Sequence, residues 1–173
     1  MARRPASGKR VLSQANLACL GADRLAELLM ETAGPALKRR LRLELAAEVG
    51  AADLAFELDK RLTALEVSRT RVSWRKRPEL LTELRTLHGM IVVRLAGLEP
   101  VLALDRLVAW FDLYPGLTRR VQDPKGELAL IFDSASGDLT ALASQLGPEI
   151  AGPILTEALS TRCLLYTSPS PRD

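Results

Sequence analysis

Leucines recur along this chain at helical spacing, and the runs are separated by proline and glycine. A short amphipathic segment, Ser13 to Leu20, is stopped by Gly21. Asp23 then fits an N-cap for a helix to about Thr32, with Leu25, Leu28 and Leu29 on one face. Gly34-Pro35 opens the next helix, because proline suits a first turn. Leu37, Leu41 and Leu45 line that helix and Gly50 closes it. A fourth helix, about Ala51 to Arg69, carries the stripe Leu54, Leu58, Leu62 and Leu65. A basic connector follows from Thr70 to Arg77. Pro78 starts a long helix to about Ala96, whose apolar face is Leu80, Leu84, Leu87, Ile91 and Leu95.

Gly97 and Glu99-Pro100 break that helix, and residues 101–114 resume the pattern with Leu104, Leu107, Val108 and Phe111. Pro115-Gly116 and Asp123-Pro124 read as turns. Leu128, Ile131, Phe132, Leu139, Leu142 and Leu146 predict a helix weakened or split by Ser134–Asp138. Gly147-Pro148 ends it, and residues 148–160 form one more helix. The best strand candidate, Ile91-Val92-Val93, lies inside the strongest helical pattern. The expected fold is therefore all-α. It is either an irregular helical bundle or a short helix-hairpin array, a superhelix of the HEAT, armadillo or TPR-like kind. The second form is suggested by Pro35, Pro78 and Pro124, which recur at the length of one hairpin repeat.

Composition agrees. Leu (34) and Ala (23) far outnumber Val plus Ile (13) in 173 residues, and β-branched residues are the ones that lose side-chain freedom in a helix. With 26% charged residues and no apolar run of about 18 residues, no membrane span is expected. The basic start does not read as a signal peptide, so a cytoplasmic protein is expected, with residues 1–10 as a flexible basic arm. Residues 11–162 are expected to form a single helical domain.

The last eleven residues, Cys163 to Asp173, are polar, proline-punctuated and aperiodic. They resemble, codon for codon, a frame translation of the transposon-end adapter used in shotgun sequencing libraries. The expectation is a non-native disordered tail at 163–173 and a helical domain truncated near Arg162.

Catalytic chemistry finds little support. His88 is the single histidine and borders the 84–87–91 face, which suits a partly buried structural role. Cys19, in Leu17-Ala-Cys-Leu20, reads as a buried small apolar residue. Asp133-Ser-Ala-Ser-Gly-Asp138 lacks the further carboxylates and closing Glu of a calcium loop, and reads as a cap or helix break. Ser7-Gly-Lys-Arg10 lacks the upstream glycine of a phosphate loop. No enzyme, metal or cofactor is expected.

Several segments carry a family resemblance. They are Ser13 to Leu29, Ala36 to Leu45, Lys60-Arg-Leu62, Ser68 to Arg77, and the stretch around Asp133 to Leu139. In their order, these resemble the opening of a bacterial domain-of-unknown-function family, family 6880. The likeness extends over nearly all of residues 10–162. It implies a helical architecture that continues through further helices in longer members, and it implies no catalytic residues. The chain departs from the pattern at Gln122-Asp-Pro-Lys-Gly126, where family members carry Asp and Ser more densely.

Charge is the feature with most physical content. Between Lys60 and Arg77 stand Lys60, Arg61, Arg69, Arg71, Arg75, Lys76 and Arg77, against Glu66 alone. Such a segment suits phosphate contacts, with Trp74 available to stack on a base. Alternatively Glu44, Glu48, Glu57, Asp59, Glu79 and Glu83 pair with these cations across helices, and Trp74 pins the connector to the core. The leading expectation is a non-catalytic helical scaffold with a protein partner. The alternative is a nucleic-acid-binding domain using residues 60–77.

Overall fold

The computed structural model describes the backbone of residues 12–167 and the side chains of residues 12–160. The expected basic arm therefore lies outside the described residues. The described elements are α1 (Gln14–Ala18), α2 (Ala22–Thr32), α3 (Pro35–Val49), α4 (Ala51–Val67), α5 (Arg77–Gly89), a π-helical segment (Met90–Leu95), α6 (Ala96–Leu98), α7 (Pro100–Asp112), α8 (Tyr114–Arg120), α9 (Glu127–Leu146) and α10 (Pro148–Thr167). The fold is all-α. Among the described residues no strand forms, and the extended pairing that does occur is an isolated parallel bridge between Val72 and Val121.

Contacts gather the chain into two compact units, Met1–Arg39 and Arg40–Asp173. In the first unit, Ser13 caps α1 by accepting the Asn16 amide at 3.2 Å. The N-cap of α2 is Gly21, at φ 82°, and not the expected Asp23. Asp23 sits inside the first turn, where its negative charge suits the positive end of the helix dipole.

The second unit holds a core built around α7, whose Ala103, Leu104, Leu107 and Trp110 are fully buried. This helix packs against α4, α9, α10 and the π-helical segment. The predicted faces of α4 and α5 are both buried, Leu54, Leu58, Leu62 and Leu65 on the first and Leu80, Leu84 and Leu87 on the second. On α3 the buried positions are Leu43, Ala46 and Ala47, while Leu45 of the expected stripe faces solvent. A chain of leucines at spacing four drifts around the helix, and the smaller alanines allow the closer approach.

Three further expectations give way. Pro115-Gly116 opens α8 rather than a turn, because proline is tolerated in a first helical turn. Ser134–Asp138 does not split α9, since Ser134 and Ser136 donate back to the carbonyls of Ile131 and Asp133 and remain in the helix. Helix α4 ends at Val67, two residues early, where Ser68 turns extended. Beyond Gly89 the run Ile91-Val92-Val93 adopts π geometry within an otherwise continuous helix, three adjacent β-branched residues being poorly suited to α-helix. Helical backbone of α10 continues to Thr167, five residues into the adapter-like segment, the next helix breaker in the sequence being Pro169. The remainder of that segment lies outside the described residues.

Candidate functional site

The basic connector between α4 and α5 is held in a defined path. Where α4 ends, its last carbonyls need donors. Arg120, from the last turn of α8, supplies one to Leu65 and others along the connector. Its Nη2 donates to the Leu65 carbonyl at 2.7 Å, and its Nη1 to the Ser68 hydroxyl and the Thr70 carbonyl, both at 3.3 Å. A cation at a helix C-terminus also meets the negative end of the dipole. The Val72 amide donates to the Arg120 carbonyl at 2.9 Å, and the Gln122 amide to the Val72 carbonyl at 3.4 Å. The connector then turns into α5 as the Ser73 carbonyl accepts the amides of Lys76 and Arg77, each at 3.0 Å. Arg77 fixes this end. Its Nη1 donates to the Gln122 carbonyl at 3.0 Å, and its Nη2 lies 2.9 Å from Glu127.

The eight residues expected at the site separate into two groups. Lys60 lies 3.4 Å from Glu57 on its own helix. Arg61 grips Glu83 with hydrogen bonds of 2.6 and 2.7 Å, tying α4 to α5. Arg77 is committed as described. Of the pairings expected across helices, Arg61–Glu83 forms, whereas Lys60 pairs within its own helix and Arg77 takes Glu127. Glu44 and Glu48 instead meet Arg94, and Asp59 meets Arg106, neither cation belonging to the cluster. Arg69, Arg71, Arg75 and Lys76 are exposed, and among the described residues none has a carboxylate partner. Trp74 does not pin the connector. It is 64% exposed, with the Arg75 guanidinium carbon 5.2 Å from its ring centroid.

Sequence reasoning missed Arg119 and Arg120. The bridge of Val72 to Val121 brings them beside the connector, across about fifty residues of chain, and a shallow cleft of ≈ 270 Å³ opens between Arg71, Ser73, Arg119 and Gln122. A basic doublet ending a helix was the available signal, but its partner segment was not legible. Burial and the nearby charge of Arg69 lower the basicity of Arg120. It stays cationic at neutral pH all the same, as guanidinium groups do. The site is thus a set of fixed positive charges beside an exposed indole.

The other candidates resolve simply. His88 is partly buried as expected, its Nε2 3.1 Å from Asp138 Oδ2 and its ring 5.1 Å from that of Trp110. Burial lowers its pKa, with Asp138 acting in the opposite sense. Cys19 is exposed, not buried, because α1 buries no residue. Asp133–Asp138 is helical and carries no calcium loop. Among the described residues no group of three or more His, Cys, Asp or Glu side chains could hold a metal ion. No helix there is long and apolar enough to cross a membrane.

Residues 7–162 match the model of a family of unknown function, DUF6880. The chain belongs to this family. No curated protein and no solved structure matches it. The DUF6880 match spans the connector, α8 and the Arg119-Arg120 doublet, so the whole basic surface lies within the family region. The loop Gln122–Gly126 serves α9. Asp123 accepts the Glu127 amide at 3.0 Å and the Leu128 amide at 2.7 Å, capping that helix across Gly126.

Proposed function

We propose that this DUF6880 chain is a non-catalytic helical binding module that takes an anionic partner on the connector and the end of α8. The observation that carries this is the group of four exposed cations, Arg69, Arg71, Arg75 and Lys76, which no carboxylate of the described residues neutralises. Guanidinium and ammonium groups keep their protons at neutral pH, so they are poor general acids and bases and good anion ligands. Anchoring by Arg77 and Arg120 holds the connector in place before a ligand arrives, which lowers the ordering cost of binding.

Titration with inorganic polyphosphate at rising salt tests the proposal. Affinity is expected to fall steeply with salt as bound charges are screened. Replacing Arg71 and Lys76 by Gln should weaken binding, while Lys60→Gln, at a cation already beside Glu57, should not. Absence of polyanion binding at low ionic strength would overturn it.

A second reading keeps the scaffold role and assigns a protein partner. It is supported by Leu45 and Val49, 67% and 73% exposed at spacing four on α3. A partner helix could lay its apolar face against that stripe.

A further inference from the structure

We infer that the anionic partner is single-stranded nucleic acid, with phosphates on Arg69, Arg71 and Lys76 and a base stacked on Trp74. This rests on the binding-module reading above and names the ligand of the same surface.

Tryptophan is largely buried on average in folded proteins, and this chain follows that rule at Trp110, which is fully covered. Trp74 breaks it. The indole stands exposed in a connector otherwise composed, from Ser68 to Lys76, of Ser, Thr, Arg, Lys and Val. An inorganic phosphate has no use for an indole face. A nucleobase does, because every base presents a π-surface of matching shape. Arg75 lies over the ring and adds a cation–π contact, so one face is occupied and the opposite face is the one a base would take.

Strandedness follows from which surfaces are offered. In a duplex the base faces are covered by their neighbours, and what the major groove accepts is a helix or β-ribbon presenting side chains to base edges. Here the unpaired cations lie on irregular backbone between α4 and α5, and the adjoining end of α8 commits Arg120 to the carbonyls of Leu65 and Thr70. Arg69 also stands close enough to depress the basicity of Arg120. A phosphate beside Arg69 would relieve that repulsion, so this side of the site favours an anion even before stacking is counted.

The test compares three ligands on the full chain: a deoxythymidine oligonucleotide of about 12 nucleotides, a duplex of the same length, and inorganic polyphosphate. The oligonucleotide is expected to bind more tightly than the duplex. Trp74→Ala should weaken oligonucleotide binding roughly 5- to 100-fold and polyphosphate binding much less, and Trp74→Phe should keep most of the oligonucleotide affinity. Because Trp74 is exposed, neither change disturbs the core. If Trp74→Ala leaves oligonucleotide affinity intact, or the duplex binds as well, the nucleic-acid assignment fails while the anion-binding module stands. If neither polyphosphate nor oligonucleotide binds at low salt, both fall together.

Discussion

Arg120 donates from Nη2 to the carbonyl of Leu65 at 2.7 Å, joining the end of α8 to the last turn of α4. Further bonds from the same guanidinium to Ser68 and Thr70 make it the clasp of the connector. Arg120→Ala would leave those carbonyls to water or to nothing. Hydrogen bonds to charged groups contribute about 1.5–3 kcal/mol, and partial exposure here places the expected loss at the lower end. Urea denaturation measures it. Hydrogen exchange should speed up at the Val72 amide, whose bond to the Arg120 backbone depends on that clasp. Arg120→Lys should recover little, because an ammonium lacks the planar fork that reaches several acceptors at once. A variant as stable as the parent, with Val72 equally protected, would show that the clasp is incidental.

Trp110 is the centre of the second unit's core. It stacks on Phe132 with centroids 4.2 Å apart, meets Phe111 edge-on at 5.1 Å, and donates from Nε1 to the Leu84 carbonyl at 3.2 Å. Trp110→Ala should cost about 3–5 kcal/mol, as large-to-small changes in packed cores do. Trp110→Phe retains a ring and should cost clearly less, losing the bond to Leu84 and part of the packing. Chemical denaturation of both variants would expose an error if the alanine change proved no worse than the phenylalanine change.

Stability should also report on His88. Burial holds its folded pKa below the ordinary 6.5, against the pull of Asp138. On acidification the unfolded chain takes up this proton first, so the unfolded state is favoured. Stability is therefore complete above about pH 6.5 and declines as pH falls toward the folded value, by at most about 1.4 kcal/mol per pH unit. His88 is the chain's one histidine, so His88→Gln should flatten the profile between roughly pH 6.5 and 5.5, above the carboxylate range. A stability that rises on acidification through this window would mean that attraction to Asp138 outweighs burial.

The helices were legible because their signals are local. Leu54, Leu58, Leu62 and Leu65 repeat with the period of one helix face, and that face is buried. The wrong face assigned to α3 shows the limit. Leu37, Leu41 and Leu45 are the larger apolar residues, but neighbouring helices selected Leu43 with the small Ala46 and Ala47, a choice made by tertiary packing. Likewise Pro115 carries a turn signal that also fits a first helical turn, and nothing nearby decides between them. At the candidate site the cations of the connector were visible as composition. Which of them stay unpaired was not, since Arg61 finds Glu83 and Arg77 finds Glu127 across tens of residues. The contribution of α8 was hidden for the same reason: Val72 meets Val121 through two backbone hydrogen bonds that no side-chain pattern encodes.

Trp74 and Trp110 are the chain's two tryptophans, so Trp110→Phe leaves Trp74 as the sole indole reporter. Fluorescence of that variant during titration with a deoxythymidine oligonucleotide measures stacking at the site itself. Emission is expected to start at the long wavelength of an exposed indole, to be quenched in step with binding followed by anisotropy of a labelled strand, and to recover when salt releases the strand. An oligonucleotide that binds by anisotropy while Trp74 emission stays unchanged would contradict the stacking of a base on this ring.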